Sequence, residues 1–430
     1  MDISPLFKIL LVFAGLLTLT RFKVHLGAAL TLGGTALGLW AGRGAMQTAQ
    51  DLLHAFALPE LWLLLVITAL IFEYGRHLSA ERNARVIMGA ARNWGGRHAQ
   101  AISLMTLPAA IGLVPMPGGA LFSAPLVEQS APGAQWDPAW KASINYWFRH
   151  TWEYWWPLFP VVIVTLSIFE LEIWQFILMQ LPLSLATLIG GYALLIRPRV
   201  KAPTRREAPV QAEPGRGWFI VLPLFLVIAC TLTLPAVLSL AIPEMALQTR
   251  KLLAMLIGIS LGLIPILRDS GPNAHATFLR TLGQRNVLSL LATVGGVILF
   301  KSMLEQSGLL PLAGNELLES GIPPILIVAF LPLVAGLVTG IAIGFAGITF
   351  PLLAGLASSH TGLAPASTLL LGFAFGYAGM MLSPVHLCFV LSRGYFSAPL
   401  GAMYRHLIPC TVIPVITAIA MYVLLSRAGW

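Results

Sequence analysis

One apolar segment of the chain occurs twice, and glycine and proline interrupt both copies. The first copy, LPAAIGLVPMPGGALFSAPL, runs from Leu107 to Leu126, and the second, LPLVAGLVTGIAIGFAGITFPLL, runs from Leu331 to Leu353. Proline removes a backbone donor and glycine weakens a helix, so neither copy is expected to cross a membrane as one plain helix. A pair of such segments at matching places in two halves of a chain indicates a binding site near the middle of a bilayer.

Long apolar runs make up most of the remaining chain. Of the 430 residues, 57% are hydrophobic and only 10% are charged, with a mean hydropathy of +0.83. Soluble domains are about half apolar and about a quarter charged, whereas apolar runs of about 17 to 25 residues cross a bilayer as helices. The pattern predicts ten spans, near 5–20, 25–42, 60–75, 142–168, 173–196, 217–242, 250–267, 287–304, 366–392 and 404–426.

The repeat extends beyond the interrupted segments. The sequence FRHTWEYWWP, from Phe148 to Pro157, aligns with FGYAGMMLSP, from Phe375 to Pro384, and each lies in the middle of a predicted span. We therefore predict an all-α polytopic membrane protein with two inverted-topology repeats, each with five transmembrane spans, one of them broken, and one re-entrant helical hairpin. The predicted units are a first repeat at 1–196 and a second at 217–430, with hairpins at about 101–128 and 322–356 and broken helices at about 142–168 and 366–392.

Basic residues indicate the orientation of the chain. The stretch RPRVKAPTRREAPVQAEPGR, from Arg197 to Arg216, is rich in proline and arginine, so we predict a cytoplasmic linker at 197–216. Lys and Arg concentrate in short cytoplasmic loops of membrane proteins, which accounts for the formal net charge of +9 without a nucleic-acid partner. Five spans in each half invert the second half relative to the first and leave both termini external.

The hairpin tips and the helix breaks predict the backbone part of a binding site. Pro157 and Pro384 should open their helices just upstream, and the freed backbone groups must then line a protein-packed or hydrated cavity. The tips and the second break give the predicted substrate-binding residues Pro117, Gly118, Gly119, Ser123, Gly344, Gly347, Thr349, Tyr377 and Ser383, with His386 as a further candidate. Ser123 and Thr349 are expected either to bind a ligand or to bond back to their own helices.

Ionisable residues inside the predicted spans are few, and three lie at the first break. Arg149, His150 and Glu153 are flanked by Asn145 and Thr151. An ionisable residue in a span is a functional-site hypothesis by default, and arginine binds a carboxylate in bidentate fashion. Arg149 and Asn145 are therefore predicted to bind substrate, and His150, Thr151 and Glu153 to bind the coupling ion. The alternative is a structural ion pair between Arg149 and Glu153 at i, i+4 spacing.

The cysteines give no sign of a metal site in the sequence. Cys230, Cys388 and Cys410 lie in apolar runs without metal-ligand spacing and are expected to be small buried side chains. A sodium site is a candidate near Gly118, Ser123, Thr349 and Ser383.

The segments PMPGGALFSAP, at 115–125, and GYAGMMLSPVH, at 376–386, carry a resemblance to a known family. Together with the paired hairpins and breaks, they resemble a bacterial and archaeal integral-membrane family of unknown function in the ion-transporter superfamily, over essentially the whole chain. That superfamily includes dicarboxylate, citrate, gluconate and lactate carriers and sodium/proton antiporters. The resemblance implies secondary transport, a prokaryotic inner-membrane location and a homodimer. The Ser-Asn-Thr triplet of the dicarboxylate members is absent from both tips here.

Three functional classes remain open at this stage. The favoured one is a secondary active transporter of a small carboxylate-like anion, coupled to a proton or sodium, which works in the lipid bilayer by elevator-type alternating access. The first alternative is a cation/proton antiporter in which Glu153 and His150 bind ions directly. The remote alternative is an intramembrane enzyme, but the spans contain no HExxH, GxSxG or paired-Asp motif. We therefore expect neither enzymatic activity nor a cofactor.

Overall fold

The computed structural model describes residues 3–78, 98–113, 118–200, 218–269, 278, 280–358 and 361–427. Across these ranges the chain is helical, and no β-strand occurs among the residues described. The predicted all-α class is thus confirmed.

The helices follow one another closely along the chain. They are α1 (Pro5–Arg21), α2 (Leu26–Trp40), α3 (Gly44–Ala57), α4 (Pro59–Leu78), α5 (Ala99–Gly112), α6 (Ala120–Ser130), α7 (Pro138–Arg149), α8 (Pro160–Phe169), α9 (Ile173–Gly191), α10 (Trp218–Ala241), α11 (Leu247–Asp269), α12 (Arg285–Gln306), α13 (Leu309–Glu319), α14 (Pro324–Thr339), α15 (Ala342–Ser358), α16 (Pro365–Met381), α17 (Leu387–Tyr395) and α18 (Leu400–Arg427). A π-helical turn, Tyr192–Ile196, extends α9.

Four of the described helices are long and apolar enough to cross a membrane, namely Ile173–Ile196, Leu247–Arg268, Arg285–Gln306 and Leu400–Arg427. Two further spans are counted if α3 with α4, bent by 48°, and α13 with α14, bent by 118°, each form one. These helices define a multi-pass membrane protein. The ten-span topology stays a prediction, because several of the predicted spans consist of short helices, such as the 15-residue α2, or of two separate pieces.

Two helices were not expected from the sequence. The α3 helix has 14 residues and α13 has 11, so both are shorter than the apolar runs from which spans are inferred. Both pack against other helices, α3 against α12 and α13 against α1. In α3, the buried Asp51 carboxylate accepts a hydrogen bond of 3.0 Å from Arg43, just before the helix.

The two interrupted segments each form a pair of helices in contact. The α5 helix ends at Gly112 and packs against α6, which begins at Ala120; α14 ends at Thr339 and packs against α15, which begins at Ala342. In the second pair the chain reverses at Gly340, whose φ of 64° lies in the left-handed region that favours glycine. Pro108, Pro125, Pro332 and Pro351 lie inside these helices and do not end them.

Two helix interruptions lie within the ranges 142–168 and 366–392. In the first, α7 ends at Arg149 and α8 begins at Pro160, so the chain leaves the helix well before Pro157. In the second, α16 ends at Met381 and α17 begins at Leu387. Because α7 ends at Arg149, Arg149 and Glu153 do not share a helix face, and the i, i+4 geometry considered for them does not apply.

The core places these interruptions close together. The α7 helix contacts α5, α6, α17 and α18, while α16 contacts α14, α15 and α18. Helices from the two halves also pack directly on each other, as α2 does on α12 and α4 on α11. The largest fully buried side chains include Trp140, Trp147, Tyr146 and Tyr377 on the helices that flank the breaks.

Candidate functional site

A cavity of about 370 Å³ lies between the helix breaks and the hairpin turns. It receives residues from both interruptions, both interrupted segments, and helices α4 and α12. Its lining residues are Phe72, Gly118, Arg149, His150, Glu153, Phe159, Pro160, Val161, Asn286, Ser289, Leu290, Thr293, Gly340, Ile341, Ala342, Ile343, Met380, His386, Leu387 and Cys388.

Four helix N-termini reach this cavity, at the starts of α6, α8, α15 and α17. No side chain caps the start of α6, α8 or α17. In α6, the Leu121 and Phe122 N–H groups donate to the Gly118 and Gly119 carbonyls, and α8 begins with a proline. Uncapped N–H groups and the positive end of a helix dipole favour a bound anion. The ends of α7, α14 and α16 also approach the cavity, and the negative end of a helix dipole favours a cation.

Arg149 is the last residue of α7 and brings a buried cation to the cavity wall. Only 3% of its surface is exposed, and its Nη1 donates to Cys388 Sγ at 3.4 Å. Gly119, at the turn between α5 and α6, packs directly on the guanidinium, since a Cβ atom at Gly119 would overlap it. The guanidinium of Arg149 can occupy this position because Gly119 has no side chain.

Two histidines from opposite halves of the chain meet beside Arg149. His150 Nε2 lies 3.1 Å from His386 Nε2, and the two rings are arranged edge to face. His150 Nδ1 lies 2.6 Å from the Tyr146 carbonyl oxygen, to which it donates when it carries a proton. Glu153 Oε1 lies 3.8 Å from His150 Nε2. The cavity thus brings together a guanidinium, two imidazoles, a thiol and a carboxylate.

Each break receives a tyrosine hydroxyl from the other half. Tyr146 Oη donates to the Met381 carbonyl at 3.1 Å, and the Tyr377 hydroxyl donates to the His150 carbonyl. Backbone groups freed by a break inside a membrane must find a partner within the protein. Tyr377, predicted as a substrate ligand, lies outside the cavity lining and holds the first break in place instead.

Other polar residues predicted for the site also connect helix ends. Asn145 Nδ2 donates to the Ala120 carbonyl at 3.0 Å and to Ser392 Oγ at 2.8 Å, which joins α7 to α6 and α17. Ser383 Oγ donates to the Leu337 carbonyl at 2.7 Å, which joins the second break to α14. Both residues lie next to the cavity but do not line it.

Three hydroxyls bond back to nearby carbonyls of their own segments. Ser123 Oγ donates to Ala120 at 3.4 Å, Thr349 Oγ1 to Phe345 at 2.7 Å and Thr151 Oγ1 to Phe148 at 3.1 Å. The sequence left this outcome open for Ser123 and Thr349. With Ser383 bonded to Leu337, three members of the candidate sodium group donate their hydroxyl protons to backbone carbonyls, and only its Gly118 lines the cavity.

Two predicted glycines pack against neighbouring side chains rather than the cavity. A Cβ atom at Gly344 would meet Thr339, and one at Gly347 would meet Val297. Pro117, the remaining predicted tip residue, lies outside the described residues.

The cavity also contains residues that the sequence analysis did not select. Asn286, Ser289 and Thr293 line one wall from the first half of α12, and Cys388 lies near both histidines. Asn286, Ser289 and Thr293 recur at i, i+3 and i+7, a polar stripe on one helix face that was a usable signal. Cys388 has a histidine two residues before it, but His150 belongs to the other half of the chain, so no local spacing shows the group.

A groove adjoins this wall of the cavity. It is lined by His25, Arg285, Asn286, Leu288, Ser289 and Ala292, and it shares Asn286 and Ser289 with the cavity. His25 Nε2 lies 2.8 Å from Ser289 Oγ, where the starts of α2 and α12 meet.

A helical chain with four to six candidate spans is a multi-pass membrane protein, and here buried ionisable side chains line a cavity within it. The chain belongs to the family described as "Protein of unknown function (DUF401)", whose model matches residues 6–425. No curated protein matches the sequence.

Proposed function

We propose that the protein is a secondary active transporter of a small organic anion, with a carboxylate or a similar group bound at Arg149. The observation that carries this proposal is the buried Arg149 guanidinium in a cavity that uncapped helix N-termini also reach. A guanidinium beside the positive ends of helix dipoles suits a carboxylate, which accepts several hydrogen bonds at once. A cavity of about 370 Å³ suits a molecule of a few carbon atoms with its hydration.

The coupling cation, a proton or sodium, is proposed to bind at the Glu153 carboxylate. Glu153 lines the same cavity as Arg149, so the cation and the anion would enter and leave together. Neutralising both charges in one cavity lowers the cost of carrying them through the membrane interior.

Two inverted repeats and ten spans are proposed for the transport cycle, with the hairpins and broken helices moving against the remaining spans in an elevator-type motion. The contacts of the described residues support the proposed grouping of these chain ends on one face of the membrane. Leu6 N donates to Glu316 at 2.8 Å, and Lys251 Nζ lies 2.7 Å from Glu172, so residues expected on the external face meet one another. A homodimer in the prokaryotic inner membrane, with a cytoplasmic linker and external termini, completes the proposal.

A cation/proton antiporter is the second candidate, and one observation favours it. Glu153 and His150 lie 3.8 Å apart near the carbonyl ends of α7, α14 and α16, an arrangement that suits a cation. Arg149 would then serve as a fixed counter-charge. The two candidates differ in the solute that binds at equilibrium, which is an organic anion for the carrier and a cation for the antiporter.

A thermal-stability screen of the purified protein separates these candidates. A ligand that binds the native state raises its apparent stability, so organic anions of increasing size are tested with and without sodium at two pH values. The proposal predicts stabilisation by at least one carboxylate, and loss of that stabilisation in Arg149→Gln. Stabilisation by cations alone, unchanged in Arg149→Gln, would support the antiporter and contradict the anion carrier.

A further inference from the structure

We infer that His150, His386 and Cys388 form a binding site for a zinc-class transition-metal ion inside the cavity. Their ligand atoms, two imidazole nitrogens and one thiol sulfur, all lie within 4.8 Å of one another, and all three residues are buried. Among the residues that the structure describes, this is the one place where three side chains of the metal-binding types come close together. The inference goes beyond anion transport and does not require it.

The spacing of the two imidazoles suits a shared metal ion. Zn–N bonds of about 2.0–2.1 Å at tetrahedral angles hold two ligand nitrogens roughly 3.3 Å apart, and the two Nε2 atoms here lie 3.1 Å apart. The Cys388 sulfur lies within 4.8 Å of a nitrogen of each imidazole, and a tetrahedral site would bring it to roughly 3.5 Å from each. Imidazoles and thiolates bind zinc and copper ions in preference to sodium or magnesium ions.

The surroundings orient one ligand as a metal site needs. His150 Nδ1 lies 2.6 Å from the Tyr146 carbonyl, and a proton on Nδ1 leaves the Nε2 lone pair facing His386. Metal-ligating histidines almost always donate their other N–H to a carbonyl or carboxylate in this way. The tyrosine carbonyl thus fixes the tautomer that binds metal.

Two charged neighbours complete the environment. Arg149 Nη1 donates to Cys388 Sγ at 3.4 Å, a hydrogen bond from outside the ligand group to the proposed ligand sulfur. Glu153 Oε1, 3.8 Å from His150 Nε2, lies within reach of a fourth ligand position. That position otherwise faces the cavity, where a carboxylate held by Arg149 would meet the metal.

Cobalt binding tests the site directly. The purified protein is stripped with a chelator and titrated with Co²⁺, whose thiolate charge-transfer and tetrahedral ligand-field bands report sulfur coordination. We expect these bands to appear at one ion per chain and to disappear when Zn²⁺ is added. Cys388→Ser should remove the charge-transfer band, and His386→Ala should weaken binding by about tenfold or more. The matched control Cys410→Ser, also buried but outside the group, should behave as wild type.

A second measurement needs no variant. Zn²⁺ should slow maleimide alkylation of Cys388 in the wild-type protein, read by peptide mass spectrometry, while Cys230 reacts at an unchanged rate. A wild-type protein without thiolate bands, or one whose Cys388 reacts equally fast with Zn²⁺, would overturn the site and leave a simple hydrogen bond between the imidazoles. Because binding is read at equilibrium without transport, a failed anion screen with intact cobalt bands would reject only the proposed transport.

Discussion

At the scale of single residues, the sequence identified the charged part of the site but not its thiol. Arg149, His150 and Glu153 were recognisable because charges inside apolar runs are costly, and all three line the cavity. Cys388 was missed because an apolar run hides a thiol whose partner is far away in sequence. The roles of Tyr377 and Ser383 also could not be predicted, since a hydroxyl serves a ligand or a carbonyl equally well until the fold gives its neighbours.

Gly119→Ala tests whether the turn positions the arginine. The added methyl group would overlap the Arg149 guanidinium, whereas the backbone of Gly119 accepts alanine without strain because its φ is −54°. We expect anion affinity to fall by about 10- to 100-fold, the equivalent of losing a charge-assisted hydrogen bond, with the fold retained. Anion titrations by thermal stability measure this. Gly401→Ala, where nothing lies within 4 Å, is the control, and equal losses in both variants would contradict the role given to Gly119.

At the scale of helices, hydrophobic runs predicted the elements well, and their ends less well. The long α12 and α18 coincide with apolar runs, but α7 ends well before Pro157, which was expected to set the break. The reason lies in the tertiary structure, because the Tyr377 hydroxyl from the other half of the chain donates a hydrogen bond to the His150 carbonyl. A partner of this kind lets a helix end where no proline requires it.

Tyr377→Phe tests the hydrogen bond from one broken helix to the other. The substitution keeps the ring and leaves the His150 carbonyl, inside the protein, without its hydroxyl donor. The carbonyl keeps its hydrogen bond from Glu153 N at 3.3 Å, so the loss of one hydrogen bond should lower the free energy of unfolding in detergent by about 1 kcal/mol. The control Tyr395→Phe changes an exposed tyrosine on α17 and should be neutral. Equal stability of the two variants would show that the hydroxyl does not hold the break.

At the scale of the whole molecule, the internal repeat predicted where a cavity would form, while the groove beside it was evident only from the fold. The groove shared by Asn286 and Ser289 lies at the start of α12, the end expected to face the cytoplasm. The number of spans was the harder inference, since short and bent helices such as α3 do not follow the length rule for spans.

Ser289→Cys tests the proposed orientation, in a background without native cysteines. Ser289 is exposed and lines both the groove and the cavity. A membrane-impermeant maleimide should label it in inside-out vesicles but not in right-side-out vesicles, and a bound anion should slow the labelling. The reference Glu319→Cys, at the exposed end of α13, should show the opposite sidedness. Reversed labelling of the two positions would invert the proposed topology.

Anion uptake into proteoliposomes tests the central claim most directly. The anion that best stabilises the protein is supplied outside, with a proton or sodium gradient, and uptake is compared between wild type, Arg149→Gln and Lys141→Gln. Lys141 is a buried cation on the same helix that pairs with Glu128 at 2.9 Å and does not line the cavity. Gradient-driven uptake by wild type and Lys141→Gln, but not by Arg149→Gln, is the predicted result. Uptake by Arg149→Gln at the wild-type rate would contradict the account.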